Sequence, residues 1–219
     1  RQKSMNHWTA ITFHHLTSVF IFLYILHMDI FDFDNSDDAE EPGTSKENFE
    51  DQVRKFHDRL KDGGGGSTNI EALEEIVNFY FENEKFEEAL HFITLLLEYL
   101  PFSADAWQRK GIILNNLQRH GDALECFDKA LSLNPVDSEL IVNRGLALDS
   151  SGRYEDAIAC FDRALEIDST NEDALFSKAI TFEKMDRFED AVAIFRFIID
   201  GTPDNKEAWY ELGFCYDCL

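Results

Sequence analysis

The chain has 219 residues, with 43 Asp and Glu against 20 Lys and Arg, for a formal net charge of −23. A polyanion of this size repels DNA, RNA and anionic lipid headgroups, which argues against nucleic-acid binding and favours a basic or neutral partner. Hydrophobic residues at 44% suffice for a core, and 20 Phe with only four Pro, in a background of Ala, Leu and Glu, point to an all-α chain.

Residues 1–28 form an apolar N-terminal segment. Thr9 to Leu26 carries no charged residue and follows Arg1 and Lys3, the length of a marginal membrane helix. His14 and His15 sit mid-span, and Thr9, Thr12, Thr17 and Ser18 dilute it. Three readings stand: an anchor in an inner membrane, upstream sequence translated ahead of a true start at Met28, or a cleaved signal that lacks a small-x-small site. The expected location is cytoplasmic, or membrane-anchored through residues 9–26. The chain opens on Arg1 and stops at Leu219 inside a helical pattern, so it reads as a fragment, or as a translated open reading frame with both ends arbitrary.

Residues 29–44 are acidic, with Phe31 and Phe33 interleaved, and are expected to be a disordered tail. Residues 45–62 predict an amphipathic capping helix. Ser45 stands as its N-cap, and Phe49, Val53, Phe56 and Leu60 share one face, placed to shield the apolar edge around Tyr80. Residues 63–69 are a Gly-rich linker. It resembles an engineered one, or it is a native helix stop followed by Ser67, Thr68 or Asn69 as the next N-cap.

From residue 70 the sequence repeats. Trp107 and Trp209 lie 102 residues apart, three times 34, and that period gives units 70–103, 104–137, 138–171 and 172–205 with a partial fifth, 206–219. With each unit numbered from 1, position 8 is Val77, Gly111, Gly145, Ala179 and Gly213. Position 20 is Ala89, Ala123, Ala157 and Ala191; position 24 is Ile93, Phe127, Phe161 and Phe195. Position 27 is Leu96, Ala130, Ala164 and Ile198; position 32 is Pro101, Pro135, Ser169 and Pro203. Small residues at 8 and 20 let two helices approach closely, large residues at 4, 11 and 24 fill the space around them, and proline at 32 ends the second helix. Val77 and Ile198 depart from the pattern and predict a looser contact in the first and fourth units. In the partial fifth unit Leu212, Phe214 and Tyr216 are expected to lack a covering helix, which predicts fraying or self-association there.

These residues, down to the run Gly121-Asp122-Ala123-Leu124-Glu125-Cys126-Phe127-Asp128-Lys129-Ala130-Leu131, resemble the tetratricopeptide repeat of bacterial-type proteins over residues 70–219. The resemblance implies a right-handed α-solenoid of helix-turn-helix units, nine helices over those residues and no strand. It also implies that the first helix of each pair lines a concave groove through positions 2, 5, 9 and 12. The partner-binding residues expected there are Asn78, Asp105, Gln108, Ile112, Asn115, Glu139, Val142, Leu146, Asp149, Asp173, Phe176, Ile180, Glu183, Tyr210 and Phe214. Position 2 is acidic in every unit, so an apolar floor with acidic edges would hold a protein or peptide partner bearing basic and apolar residues. The same acids also suit the first helical turn, where the helix dipole favours them. Relatives that clamp a C-terminal carboxylate need Lys or Arg at positions 2, 5 or 6. Only Arg109 and Asn143 at position 6 approach that set.

No chemistry is expected. Cys215-x-x-Cys218 lacks the second ligand pair of a zinc site and the α/β context of a redox motif. Cys126 and Cys160 share position 23, about a helix-pair spacing of 10 Å apart and beyond disulfide reach, and the cysteine set fits a reduced compartment. The seven His form no HExxH spacing, and the glycine run lacks the GK[ST] ending of a phosphate loop. The sequence therefore reads as a non-enzymatic interaction scaffold without cofactor or metal. The alternatives are the interaction region of a longer enzyme and a membrane-tethered envelope-assembly factor.

Overall fold

The structure, a computed structural model, describes Asp51, Val53, Arg54 and residues 68–219. The expectations for residues 1–28, 29–44 and 63–67, and for Phe49, Phe56 and Leu60, lie outside the described residues. Among those described there are nine further helices and no strand: α1 (Thr68–Glu82), α2 (Phe86–Tyr99), α3 (Ala104–Asn116), α4 (His120–Leu133), α5 (Ser138–Ser150), α6 (Tyr154–Ile167), α7 (Glu172–Lys184), α8 (Phe188–Gly201) and α9 (Lys206–Cys218). Each helix packs on the next, and the odd-numbered helices also touch one another, α3 with α5 and α5 with α7. The result is an all-α tandem stack of helical hairpins. Among the described residues no helix is long and apolar enough to cross a membrane.

Local chemistry sets the helix ends. The last residue of each unit caps the helix that follows: Ser103, Asp137, Asn171 and Asn205 are extended and accept from the backbone N–H of Ala106, Leu140, Ala174 and Ala208. The turns inside the hairpins all close one way. Glu84, Gln118, Gly152 and Asp186, at position 15, have φ of +56°, +59°, +78° and +57°. The next N–H, on Lys85, Arg119, Arg153 and Arg187, reaches back five residues to Tyr80, Leu114, Leu148 and Phe182 at 2.8–2.9 Å. This is the Schellman closure, which satisfies carbonyls that a helix end leaves orphaned.

The second helices end alike, with or without proline. α6 stops at Ile167 although position 32 is Ser169. There the N–H of Asp168 bonds to Ala164, and the Asp168 carboxylate accepts from the backbone N–H and hydroxyl of Thr170 at 3.0 and 2.9 Å. Proline at 32 reinforces a stop that the capping hydrogen bonds already make.

The core runs along the stack. Ala89, Ala123, Ala157 and Ala191 are fully buried, as are Ile93, Phe127, Phe161 and Phe195. The contact expected to be loose in the first unit is filled, since Val77 (2% exposed) shares one cluster with Ile93 and Ala89. A larger residue at position 8 is matched by a smaller one at 24. Ile198 is likewise buried, at 3%. Leu212 is not uncovered either, because α8 supplies Ile198 and Ile199 to the cluster that holds it at 6%. Tyr216 is 47% exposed, and its ring carries the Arg196 guanidinium 5.9 Å from the centroid. At the other end helical Val53 is buried in the cluster of Leu73 and Ile76, and Tyr80 stacks on Phe92 with centroids 5.4 Å apart.

Candidate functional site

The odd-numbered helices carry the expected groove residues. Asp105, Glu139 and Asp173 lie exposed in the first turns of α3, α5 and α7. Asp105 meets Arg109 Nε at 3.3 Å, and Glu139 accepts from Gln108 Nε2 at 2.9 Å across adjacent units. Asn78, exposed on α1, accepts from Arg109 Nη1 at 2.8 Å. Arg109, the one cation at position 6, is therefore already held by two partners.

Position 9 forms a row of half-buried apolar side chains, Ile112, Leu146, Ile180 and Phe214. The first three pack onto successive core clusters, and Phe214 meets Phe188 edge-on with centroids 6.4 Å apart. At position 5, Phe176 is half-buried with its ring edge-on to Phe195 at 5.5 Å, and Tyr210 is 68% exposed. Gln108 is half-buried.

Three expected contact residues depart from that role. Val142 is buried at 4%, and Asp149 and Glu183 are each buried at 7%. Position 12 was expected to face a partner, but in these units it faces the next first helix. Asp149 accepts from Thr181 Oγ1 at 2.9 Å and pairs with the Lys184 ammonium. Glu183 accepts from Cys215 Sγ at 2.9 Å. Burial, foremost, with the nearby Glu211 carboxylate acting in the same sense, lifts Glu183 from 4.5 to about 7, against the pull of Cys215 and Lys184. Asn115 at the equivalent place is half-buried and lies 2.7 Å from His120 Nδ1.

Salt bridges tie neighbouring hairpins elsewhere. Arg144 Nε meets Asp128 at 2.8 Å and Lys178 Nζ meets Asp162 at 2.5 Å, both reaching back 16 residues to the preceding second helix. Arg144 Nη1 also donates to Cys160 Sγ at 3.2 Å. Among the described residues no group of His, Cys, Asp or Glu is arranged to hold a metal ion, and Cys126, Cys160, Cys215 and Cys218 are all free thiols.

Residues 104–137 and 139–171 each match the family profile described as the tetratricopeptide repeat. A comparison with curated protein sequences finds no significant match. Among solved structures the chain is similar to a tetratricopeptide-repeat protein from Parabacteroides merdae, with a TM-score of 0.64 at 19% identity over 78% of this chain and 73% of that one. It is similar to YrrB, described as a TPR protein with an unusual peptide-binding site, with a TM-score of 0.60 at 23% identity over 75% of this chain and 84% of that one. It is also similar to the first TPR of Spaghetti bound to the HSP90 peptide SRMEEVD, with a TM-score of 0.51 at 22% identity over 55% and 95%.

Proposed function

We propose that the first helices of this tandem stack, two of whose units match the tetratricopeptide repeat and whose fold suits a protein–protein interaction scaffold, bind a partner segment rich in Lys or Arg beside apolar anchors. The observation that supports this reading is one arrangement. Half-buried Ile112, Leu146, Ile180 and Phe214 run along the stack, with exposed Asp105, Glu139 and Asp173 at the helix starts beside them. An apolar row supplies contact area, and acids at its margin steer cations toward it and repel anions. A pre-formed surface spends little ordering entropy on its own side when a segment binds.

The peptide bound in the Spaghetti structure, SRMEEVD, carries two glutamates and an aspartate. Acids at position 2, and an Arg109 already engaged by Asn78 and Asp105, make this groove a poor clamp for such an anion. A peptide array read at two salt concentrations tests the proposal. Basic–apolar peptides bind and lose affinity as salt rises. Preference for acidic or uncharged peptides would overturn it.

A further inference from the structure

Two neighbouring junctions share one register but not one chemistry. Asp149, at position 12 of the third unit, accepts from Thr181, 32 residues on, and takes the ammonium of Lys184, 35 residues on. Glu183, at position 12 of the fourth unit, accepts from Cys215, again 32 residues on. The residue 35 on from Glu183 is Cys218. The fifth unit thus presents a thiol where the fourth presents an ammonium. Both carboxylates are buried to the same extent, 7% exposed. A buried carboxylate with a weak S–H donor and no cation of its own is in an unfavourable state when ionised.

The surrounding charges deepen that difference. On its own helix α7, the nearest cation is Lys184, committed to Asp149 of α5. From α9 come Glu211, Cys215 and, beside them, Glu207 and Cys218. From α8, Arg196 extends over the Tyr216 ring.

We propose that the contact between α7 and α9 is a pH-operated joint, tight when the Glu183 carboxyl carries a proton and loosened when it ionises. The joint does not depend on whether the groove takes a partner. Glu183 lies at about 7 when folded, against 4.5 ordinarily, with burial the leading cause. Glu211 moves in the same direction, through burial first and Glu207 second. A carboxyl raised in the folded state holds more protons folded than unfolded between those two values. Its stabilising contribution is therefore complete below 4.5 and lost as pH climbs to about 7.

Hydrogen exchange on the full chain at pH 5.5 and pH 8, corrected for intrinsic exchange rates, tests the joint. Opening of α9 rises by about tenfold or more between the two pH values, while opening of α3 to α6 stays level. Glu183→Gln keeps an acceptor for the thiol and removes the share of the pH response that Glu183 carries, leaving that of Glu211. Cys218→Lys, at an exposed site, restores the cation of the neighbouring register and holds α9 protected at pH 8. The second variant serves even where the first folds poorly. Equal α9 protection at both pH values in the parent chain, or a pH response undiminished in either variant, overturns the proposal.

Discussion

The ring of Phe127 stands where a β-carbon on Gly111 would be, with Cε1 2.7 Å from its ideal position. Phe161 does the same to Gly145 at 2.6 Å. The two positions therefore share one volume. The first unit divides that volume as Val77 and Ile93, and the fourth as Ala179 and Phe195, whose ring leans on Phe176. Gly111→Val and Phe127→Ile should each lower stability by about 1–3 kcal/mol, the first by overpacking and the second by leaving a cavity. The double variant recreates the first unit's pairing and should lose less than the sum, read in a denaturant double-mutant cycle. Strictly additive losses would mean that the two side chains do not compete for space.

Three of the four hairpin turns hold a non-glycine residue in the left-handed region, Glu84, Gln118 and Asp186, while Gly152 occupies the fourth. A β-carbon there crowds the following carbonyl, and glycine escapes that cost. Gln118→Gly should therefore raise the melting temperature by an amount equivalent to about 0.5–1 kcal/mol, and Gly152→Ala should lower it by a similar amount. A Gln118→Gly variant that melts earlier than the parent would contradict the turn geometry.

The cysteines should separate into two classes. Burial pushes the Cys126 thiol up to about 11 and raises Cys215 further, with Glu183 adding to the second effect. Cys160 is 9% exposed, and Cys218 alone among the four is exposed. The thiolate is the reactive form, so a native chain at pH 7.5 should alkylate quickly at Cys218 and slowly at the other three. Mass spectrometry of peptides from a short iodoacetamide pulse reads this directly. Rapid labelling of Cys126 or Cys215 would mean that their helices open on that timescale.

The repeat was legible because it is written in sizes. Glycine or alanine at position 8, alanine at 20 and phenylalanine at 24 recur at fixed spacing, since each must meet its counterpart across one hairpin. The helix starts are equally open to reading, because Ser103, Asp137, Asn171 and Asn205 are ordinary N-cap residues at one repeat position. Position 12 was not legible. Asp149 and Glu183 differ from exposed acids through Thr181, Lys184 and Cys215, 32 or 35 residues on, offsets fixed by how successive hairpins stack. Hydrophobic periodicity within a helix carries no record of that stacking, so a buried carboxylate and a solvated one look alike in sequence. The Cys215-x-x-Cys218 pair has the same origin, as the fifth-unit counterparts of Thr181 and Lys184.

The acids at position 2 have two possible uses, and one set of variants separates them. Asp105, Glu139 and Asp173 sit in the first turns of α3, α5 and α7, where a negative charge also favours the helix dipole. Changing all three to Asn leaves the caps at Ser103, Asp137 and Asn171 untouched, so the loss of stability should be modest, about 0.3–1 kcal/mol for each exposed dipole interaction. If the acids select the partner, the triple variant binds basic–apolar peptides more weakly, and its affinity varies less with salt than the parent's. If they serve only the helix starts, the melting temperature falls while affinity and salt dependence stay as they were. Leu146→Ser with Ile180→Ser should weaken binding in both cases, because those half-buried side chains form the apolar row. Titration calorimetry of the parent and the two variants against one basic peptide, at low and at physiological salt, reads all of these outcomes. Unchanged affinity in the serine variant would remove the groove itself from consideration as the binding surface.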